Sequence, residues 1–293
     1  MKIAHRSGCA AALALPLLLA GCSLLPTTRH LPVPRAATAQ SATPQELVNQ
    51  LSQRWDALNT LTATVEIHAT ELKTTEGLAK DYPSCRGYIV MRKPNMLRVA
   101  GTYFGVKIFD MASDGSNFKL VIPSKNLVIE GSNTVTEKSE NQWENLRPDF
   151  FLDAIAVRGL DPGNEYMVAG ESETIEDAAR KHLYNEQEYT LTAMQPKVGP
   201  EKLPLRVIMF HRDDMLPYSQ DVYDSAGNLE TQITYSNYAK FSASKYPSKV
   251  TIRRPQEGVI LVLTVEDVKE NIDLPDDEFQ VKIPEGTSIR KVK

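Results

Sequence analysis

A thiol at position 22 is the side chain whose neighbours most clearly call for chemistry. Cys22 directly follows Leu19-Ala20-Gly21 and closes an apolar run from Cys9 to Ala20, behind the basic residues Lys2 and Arg6. That run is too short to cross a hydrocarbon core, which takes ~20 residues as a helix. A basic start, a short apolar stretch and small residues before a cleavage point are the marks of a secretory signal. A cysteine placed directly after Leu-Ala-Gly adds lipidation, so that Cys22 becomes the acylated first residue of the mature chain. An ordinary signal with a coincidental cysteine, or a buried helix, would share the apolar run but gives no reason for the cysteine. Each buried methylene contributes ~0.8 kcal/mol, and two or more chains anchor durably.

The remaining residues capable of chemistry fall into no catalytic pattern. His30, His68, His182 and His211 do not pair at metal-ligand spacing. The chain has no His-Glu-x-x-His, Gly-x-Ser-x-Gly or P-loop. Asp276-Asp277-Glu278 lacks the alternating ligands of a calcium loop and reads as a turn cap. His211-Arg212-Asp213-Asp214 reads as a solvated turn. Cys9 leaves with the signal and Cys22 is consumed by acylation, which leaves Cys85 as a lone, buried apolar thiol. No cofactor, no metal site and no enzymatic activity are expected. A hydrolase would need closely spaced carboxylates in a polar cleft. The 293 residues carry a net charge of −4. Loss of Lys2 and Arg6 makes the mature body more acidic still, so no nucleic-acid partner is expected.

The elements that position these residues follow from punctuation and period. Residues 1–21 form the signal. Residues 22–43 carry Pro26, Pro32 and Pro34 and then small polar residues, and read as a flexible tether reaching roughly 60 Å when extended. Thr43-Pro44-Gln45-Glu46 is a capping box with proline at the first helical position. Leu47, Leu51, Trp55 and Leu58 then recur at helical spacing. Residues 61–70 alternate apolar and polar with period two. Further strands are expected near 85–92, 96–100, 106–111, 118–122 and 127–130, with Asp114-Gly115 as a hairpin turn. A second helix is expected over 147–155, with Phe151, Leu152 and Ile155 on one face. Strands resume over 165–169, 181–192, 205–211, 216–223, 229–238, 248–254, 259–268 and 278–283. No polar linker interrupts residues 44–293.

The expected fold is therefore mainly β (α+β). It is a single unclosed, strongly curved antiparallel half-barrel of about eleven strands, since sheets of that size must curl or split. Two or more helices cap its concave face. An apolar cavity between sheet and helices would be lined by inward positions, with Trp55, Val65, Ile67, Ile89, Met91, Ile108, Leu120, Phe151 and Ile155 as candidates.

This order of elements resembles the LolA/LolB-like superfamily of periplasmic lipoprotein carriers and outer-membrane lipoprotein acceptors. The resemblance is carried by the helix ending Trp55-Asp56-Ala57-Leu58 that runs into a threonine-rich strand. It also rests on Gly87-Tyr88-Ile89-Val90-Met91-Arg92-Lys93-Pro94-Asn95, Ser113-Asp114-Gly115, and Asn271 to Phe279 followed by Pro284-Glu285-Gly286, which resembles a closing strand. It implies a half-barrel that holds acyl chains. The acylated N-terminus resembles the acceptor rather than the soluble carrier. Gly101-Thr102-Tyr103-Phe104-Gly105 corresponds to the acceptor's membrane-facing loop, with Tyr103 and Phe104 at its tip, or with Phe104 turned into the core. Ser23, in place of aspartate, resembles an outer-membrane address. The resemblance implies a membrane held through N-terminal acyl chains, a lipoprotein or other amphiphile as cargo, and a soluble periplasmic carrier as donor. A non-transport envelope sensor or assembly factor on the same scaffold is the alternative.

Overall fold

The computed structural model describes residues 29–31, 39–73, 76–134, 137, 139, 141–161, 163–177, 181–196, 202–241 and 244–292. The expected signal peptide, Cys22 and most of the expected tether lie outside them. Helix α1 (Pro44–Ala57) begins as its sequence dictates: the Thr43 hydroxyl accepts from the Glu46 N–H, and the Glu46 carboxylate accepts from the Thr43 N–H. Gln40, at the end of the expected tether, already pairs with the sheet. Its N–H donates to Arg212 O at 2.8 Å, and Arg212 Nε donates back to Gln40 O at 3.0 Å.

Fifteen strands occur among the described residues. β1 (Thr60–Lys73) is followed by β2 (Leu78–Asp81), β3 (Cys85–Arg92), β4 (Met96–Tyr103), β5 (Val106–Ser113), β6 (Asn117–Ile122) and β7 (Leu127–Ser132). After a short 3-10 turn at Gln142–Asn145 comes α2 (Asp149–Ile155). The second run is β8 (Tyr166–Asp177), β9 (His182–Met194), β10 (Pro204–His211), β11 (Pro217–Tyr223), β12 (Leu229–Phe241), β13 (Ser244–Arg254) and β14 (Val259–Glu270), and β15 (Ser288–Val292) ends the chain. The order across the sheet is β15-β7-β6-β5-β4-β3-β1-β14-β13-β12-β11-β10-β9-β8, with β2 on the side of β1. Two meanders are thus joined at the centre, where β1 takes β3 on one edge and β14 on the other. The count exceeds the eleven or so expected, and β2 and β15 fall where no strand segment was expected, since neither carries clear alternation.

The closing segment corrects one expectation. Residues 278–283 do not form a strand. Asp276–Phe279 is a 3-10 turn, and the last strand is β15, which runs parallel to β7. Val90 points away from Ile89 and Met91, and Leu274 and Phe279 bury it on the outer face of the sheet. Arg92 Nη1 donates to Leu274 O at 3.0 Å and Arg98 Nη1 to Glu278 O at 3.0 Å. Residues 271–287 are therefore a strap across the convex side.

The curvature follows from what α2 touches. Seven residues span only ~10 Å of helix. Yet Asp149 Oδ1 accepts from Asn133 Nδ2, just past β7, at 3.3 Å, and Asp153 O accepts from Gln220 Nε2 of β11 at 3.1 Å. Nine strand steps separate β7 from β11, roughly 43 Å in a flat sheet, so the sheet must wrap around the helix. Phe150, Phe151, Leu152, Ala154 and Ile155 are all buried, which makes α2 an interior helix rather than an amphipathic one. It shares one core with Leu61, Ala63, Val65 and Ile67 of β1 and Leu261, Leu263 and Val265 of β14. Helix α1 serves a second core through Leu47, Val48 and Leu51, against Leu191, Ala193, Ile208 and Phe210.

Candidate functional site

The C-terminal turn of α1 reaches past the second core and leaves a hollow beside it. The turn ends because Leu58 turns extended, with its N–H on Trp55 O. Asn271, just after β14, fixes this corner. Its Nδ2 donates to Ala57 O at 2.8 Å, and its Oδ1 accepts from the Asn59 N–H at 2.7 Å. Its backbone φ of 55° is a left-handed conformation that asparagine tolerates. The resulting cavity has a volume of about 370 Å³. One wall is Leu51, Trp55, Leu58 and Leu61, and the facing wall is Tyr235, Tyr238 and Tyr246 of β12 and β13. Ile155, at the end of α2, and Ala156 and Val157 after it also line the cavity, as do Arg54, Lys245 and Glu270.

The hydroxyls of the three tyrosines are all engaged by backbone carbonyls. Tyr238 donates to Pro217 O at 2.6 Å, Tyr235 to Asp153 O at 3.4 Å, and Tyr246 to Ile155 O. Burial pushes all three phenols up, so they remain neutral. Lys93 Nζ lies over the Trp55 ring, 4.7 Å from its centre. With every hydroxyl engaged by backbone, the wall offers apolar area, which is what an acyl chain or other apolar body requires.

The candidates read from sequence separate into three groups. Trp55 and Ile155 line the cavity. Val65, Ile67, Ile89, Met91 and Phe151 lie in the packed core, and Ile108 and Leu120 pack against its margin. The space between the sheet centre and α2 is accordingly filled with side chains. Tyr103 and Phe104 form the third group. β4 runs through Tyr103 and β5 starts at Val106, so Phe104-Gly105 is a two-residue hairpin turn and not an open loop. Both turn residues have positive φ, 47° and 79°, as a twisted hairpin demands. Phe104 is 90% exposed and packs edge-on against Tyr103 at 4.6 Å. A second hollow of about 270 Å³ lies beside the tip, lined among others by Glu66, Cys85 and Arg86. The tip is level with Glu66 in β1, whereas the larger cavity meets β1 at Leu61. The two features therefore sit at opposite ends of the sheet, roughly 17 Å apart along the strand.

Three parts of this picture were not read from the sequence. Tyr235 and Tyr238 lie three residues apart, which regular alternation would put on opposite faces, with Asn237 at φ 55° between them, and nothing local marks their rings and that of Tyr246 as a wall. Asn271 looked like part of a closing strand. The third is a polar cluster on the outer face of β9 and β10. His211 Nδ1 lies 3.5 Å from Glu186 Oε1 and 4.0 Å from Glu188 Oε1, and the ligand atoms of all three lie within 4.8 Å of one another. These donors match a mixed nitrogen and oxygen metal set in type. Burial raises the Glu186 carboxyl, with Glu188 adding to it. Tyr218 stacks on the His211 ring at 4.2 Å and donates to Glu188.

No protein-family model and no curated protein matches the chain. Solved structures do. The chain is similar to a DUF1329 family protein from Desulfovibrio piger, with a TM-score of 0.52 and 14% identity over 81% of this chain and 95% of that one. A LolA superfamily protein from Nitrosomonas europaea matches with a TM-score of 0.49 and 16% identity, over 82% and 99%. An outer membrane lipoprotein-sorting protein domain from Vibrio parahaemolyticus matches with a TM-score of 0.44 and 11% identity, over 80% and 94%. At such identities the likeness is one of fold alone. The fold described above is similar to that of the Desulfovibrio piger protein.

Proposed function

We propose that the chain is a lipid-anchored protein of the outer membrane's periplasmic face that takes an acyl chain into the cavity beside α1, in the service of lipoprotein localisation. The observation that carries this reading is the cavity's wall of neutral, internally satisfied aromatic rings. Binding is the whole of its action: cargo moves by relative burial of methylenes in donor, cavity and bilayer. Acylation of Cys22 holds the body at the membrane, and Ser23 supports the outer-membrane address. A soluble periplasmic carrier is the expected donor. The exposed Tyr103 and Phe104 support contact with a bilayer. Since they lie at the end of the sheet away from the cavity, their role is to orient the body rather than to pass cargo.

A second reading, a non-transport envelope sensor or assembly factor, is favoured by one observation. The concave face between β1, β3 and α2 is packed, so no chamber there receives the several chains of a lipoprotein. Delipidated protein incubated with a labelled fatty acid and, separately, with a labelled acylated lipoprotein decides between them. Binding of both supports localisation. Binding of the fatty acid alone supports the second reading, and binding of neither overturns the acyl-chain assignment.

A further inference from the structure

We propose that the cavity selects a single-chain amphiphile with an anionic head, a specificity that rests on the acyl-chain reading above. The chain number follows from volume. At ~30 Å³ for a water-sized unit, and a methylene of similar size, 370 Å³ holds about a dozen carbons, one chain and not two. The head group follows from the polar atoms at the rim. The tyrosine hydroxyls are bonded to backbone carbonyls, the Asn271 amide to the α1 corner, and Glu270 to the Ser244 hydroxyl at 2.5 Å. Arg54 and Lys245 remain. Both line the cavity and are exposed, and among the described residues neither makes an ion pair or a side-chain hydrogen bond. Two cations against the single carboxylate of Glu270 leave the lining net positive.

The C-terminal end of α1 works against an anion here, with a partial charge of about −0.5. Arg54, in its last turn, offsets that with a full positive charge, and Lys245 faces the cavity from β13 without such an opponent. An exposed ion pair is worth up to about fivefold in affinity, so two place the expected preference on the order of tenfold at low salt, fading as salt screens it.

The test uses delipidated full-length protein and three ligands of equal chain length: dodecanoate, monododecyl phosphate and dodecanol, each displacing a fluorescent fatty-acid probe. Both anions are expected to bind about tenfold more tightly than dodecanol. The ratio between the two anions tells a carboxylate head from a phosphate head. In the double variant Arg54→Gln with Lys245→Gln, the preference collapses to parity, while Lys245→Arg alone retains it. Both sites are exposed, and an unchanged melting curve confirms the fold. Equal binding of all three ligands by the native protein, or a preference that survives the double variant, overturns the inference while leaving the acyl-chain reading intact. Failure of all three to bind overturns that reading, and this inference with it.

Discussion

Chain length is the perturbation that interrogates the cavity most directly. Each methylene moved from water into an apolar site contributes ~0.8 kcal/mol, about fourfold in affinity. The cavity beside Trp55 holds about a dozen methylene-sized units, since it measures about 370 Å³ and each unit takes ~30 Å³. Affinity in a saturated fatty-acid series from octanoate to hexadecanoate should therefore climb about fourfold per added methylene until dodecanoate, then level off, because later methylenes stay in water. Titration against a displaceable fluorescent fatty acid below the critical micelle concentrations measures this directly. Ala57→Phe places a ring in the mouth from the last turn of α1, where Ala57 is exposed and lines the cavity. Its break point should move to shorter chains by several carbons. A series that climbs steadily to hexadecanoate would refute the volume argument, and so would one already flat at octanoate. A break unmoved by Ala57→Phe would place the chain elsewhere on the molecule.

Three further outcomes are expected. Asp110 is 2% exposed and accepts from Arg98 Nε and Nη2, both at 2.9 Å, and from Lys107. Asp110→Asn strands the Arg98 charge with only Glu278 nearby, 3.8 Å away, and should cost about 3 kcal/mol in urea unfolding; a loss under 1 kcal/mol refutes the network. Burial by itself would raise the Asp110 carboxyl, but Arg98 and Lys107 outweigh it and hold the group below its ordinary value of 3.8. Its contribution is therefore complete above that value and drains away as pH falls through the lower folded value. Unfolding measured from pH 5 downward should show a steeper acid loss in the native protein than in Asp110→Asn; parallel curves would exclude Asp110 as a source. Finally, Phe104 holds φ +47°, which costs a non-glycine residue about 1 kcal/mol. Phe104→Asn should raise the melting temperature yet weaken vesicle binding of an unacylated Cys22→Ala form about tenfold, the loss expected for one buried aromatic side chain. Unchanged vesicle binding would exclude the tip as a membrane contact.

Local rules explain why so much of the architecture was readable in the chain. The Thr43 to Glu46 capping box, the alternation of β1, and the Asp114-Gly115 turn each depend on neighbours within a few residues, and each stands where its pattern places it. Asp114 Oδ1 closes that turn by accepting from the Ser116 and Asn117 N–H groups. Alternation also identifies the two faces of a strand, but not which face meets a void and which meets a neighbour. Val65 and Ile89 are expected from alternation at a cavity wall, and the arrival of α2 over the sheet centre puts them in the core. The parallel pairing of β15 with β7 joins residues ~160 apart, and Ser288–Val292 carries no alternation to announce it.

By itself the sequence determined a mainly β chain, a capped first helix, and a curled antiparallel sheet, because caps, turns and period-two patterns act over short distances. Tertiary structure alone decided where space was left. The cavity exists because Asn271 pins the end of α1 to the start of β1 while three tyrosines turn their hydroxyls to backbone carbonyls across it. Those partners are brought together from residues 57, 59, 153, 155, 217 and 271, and only the folded sheet sets their distances.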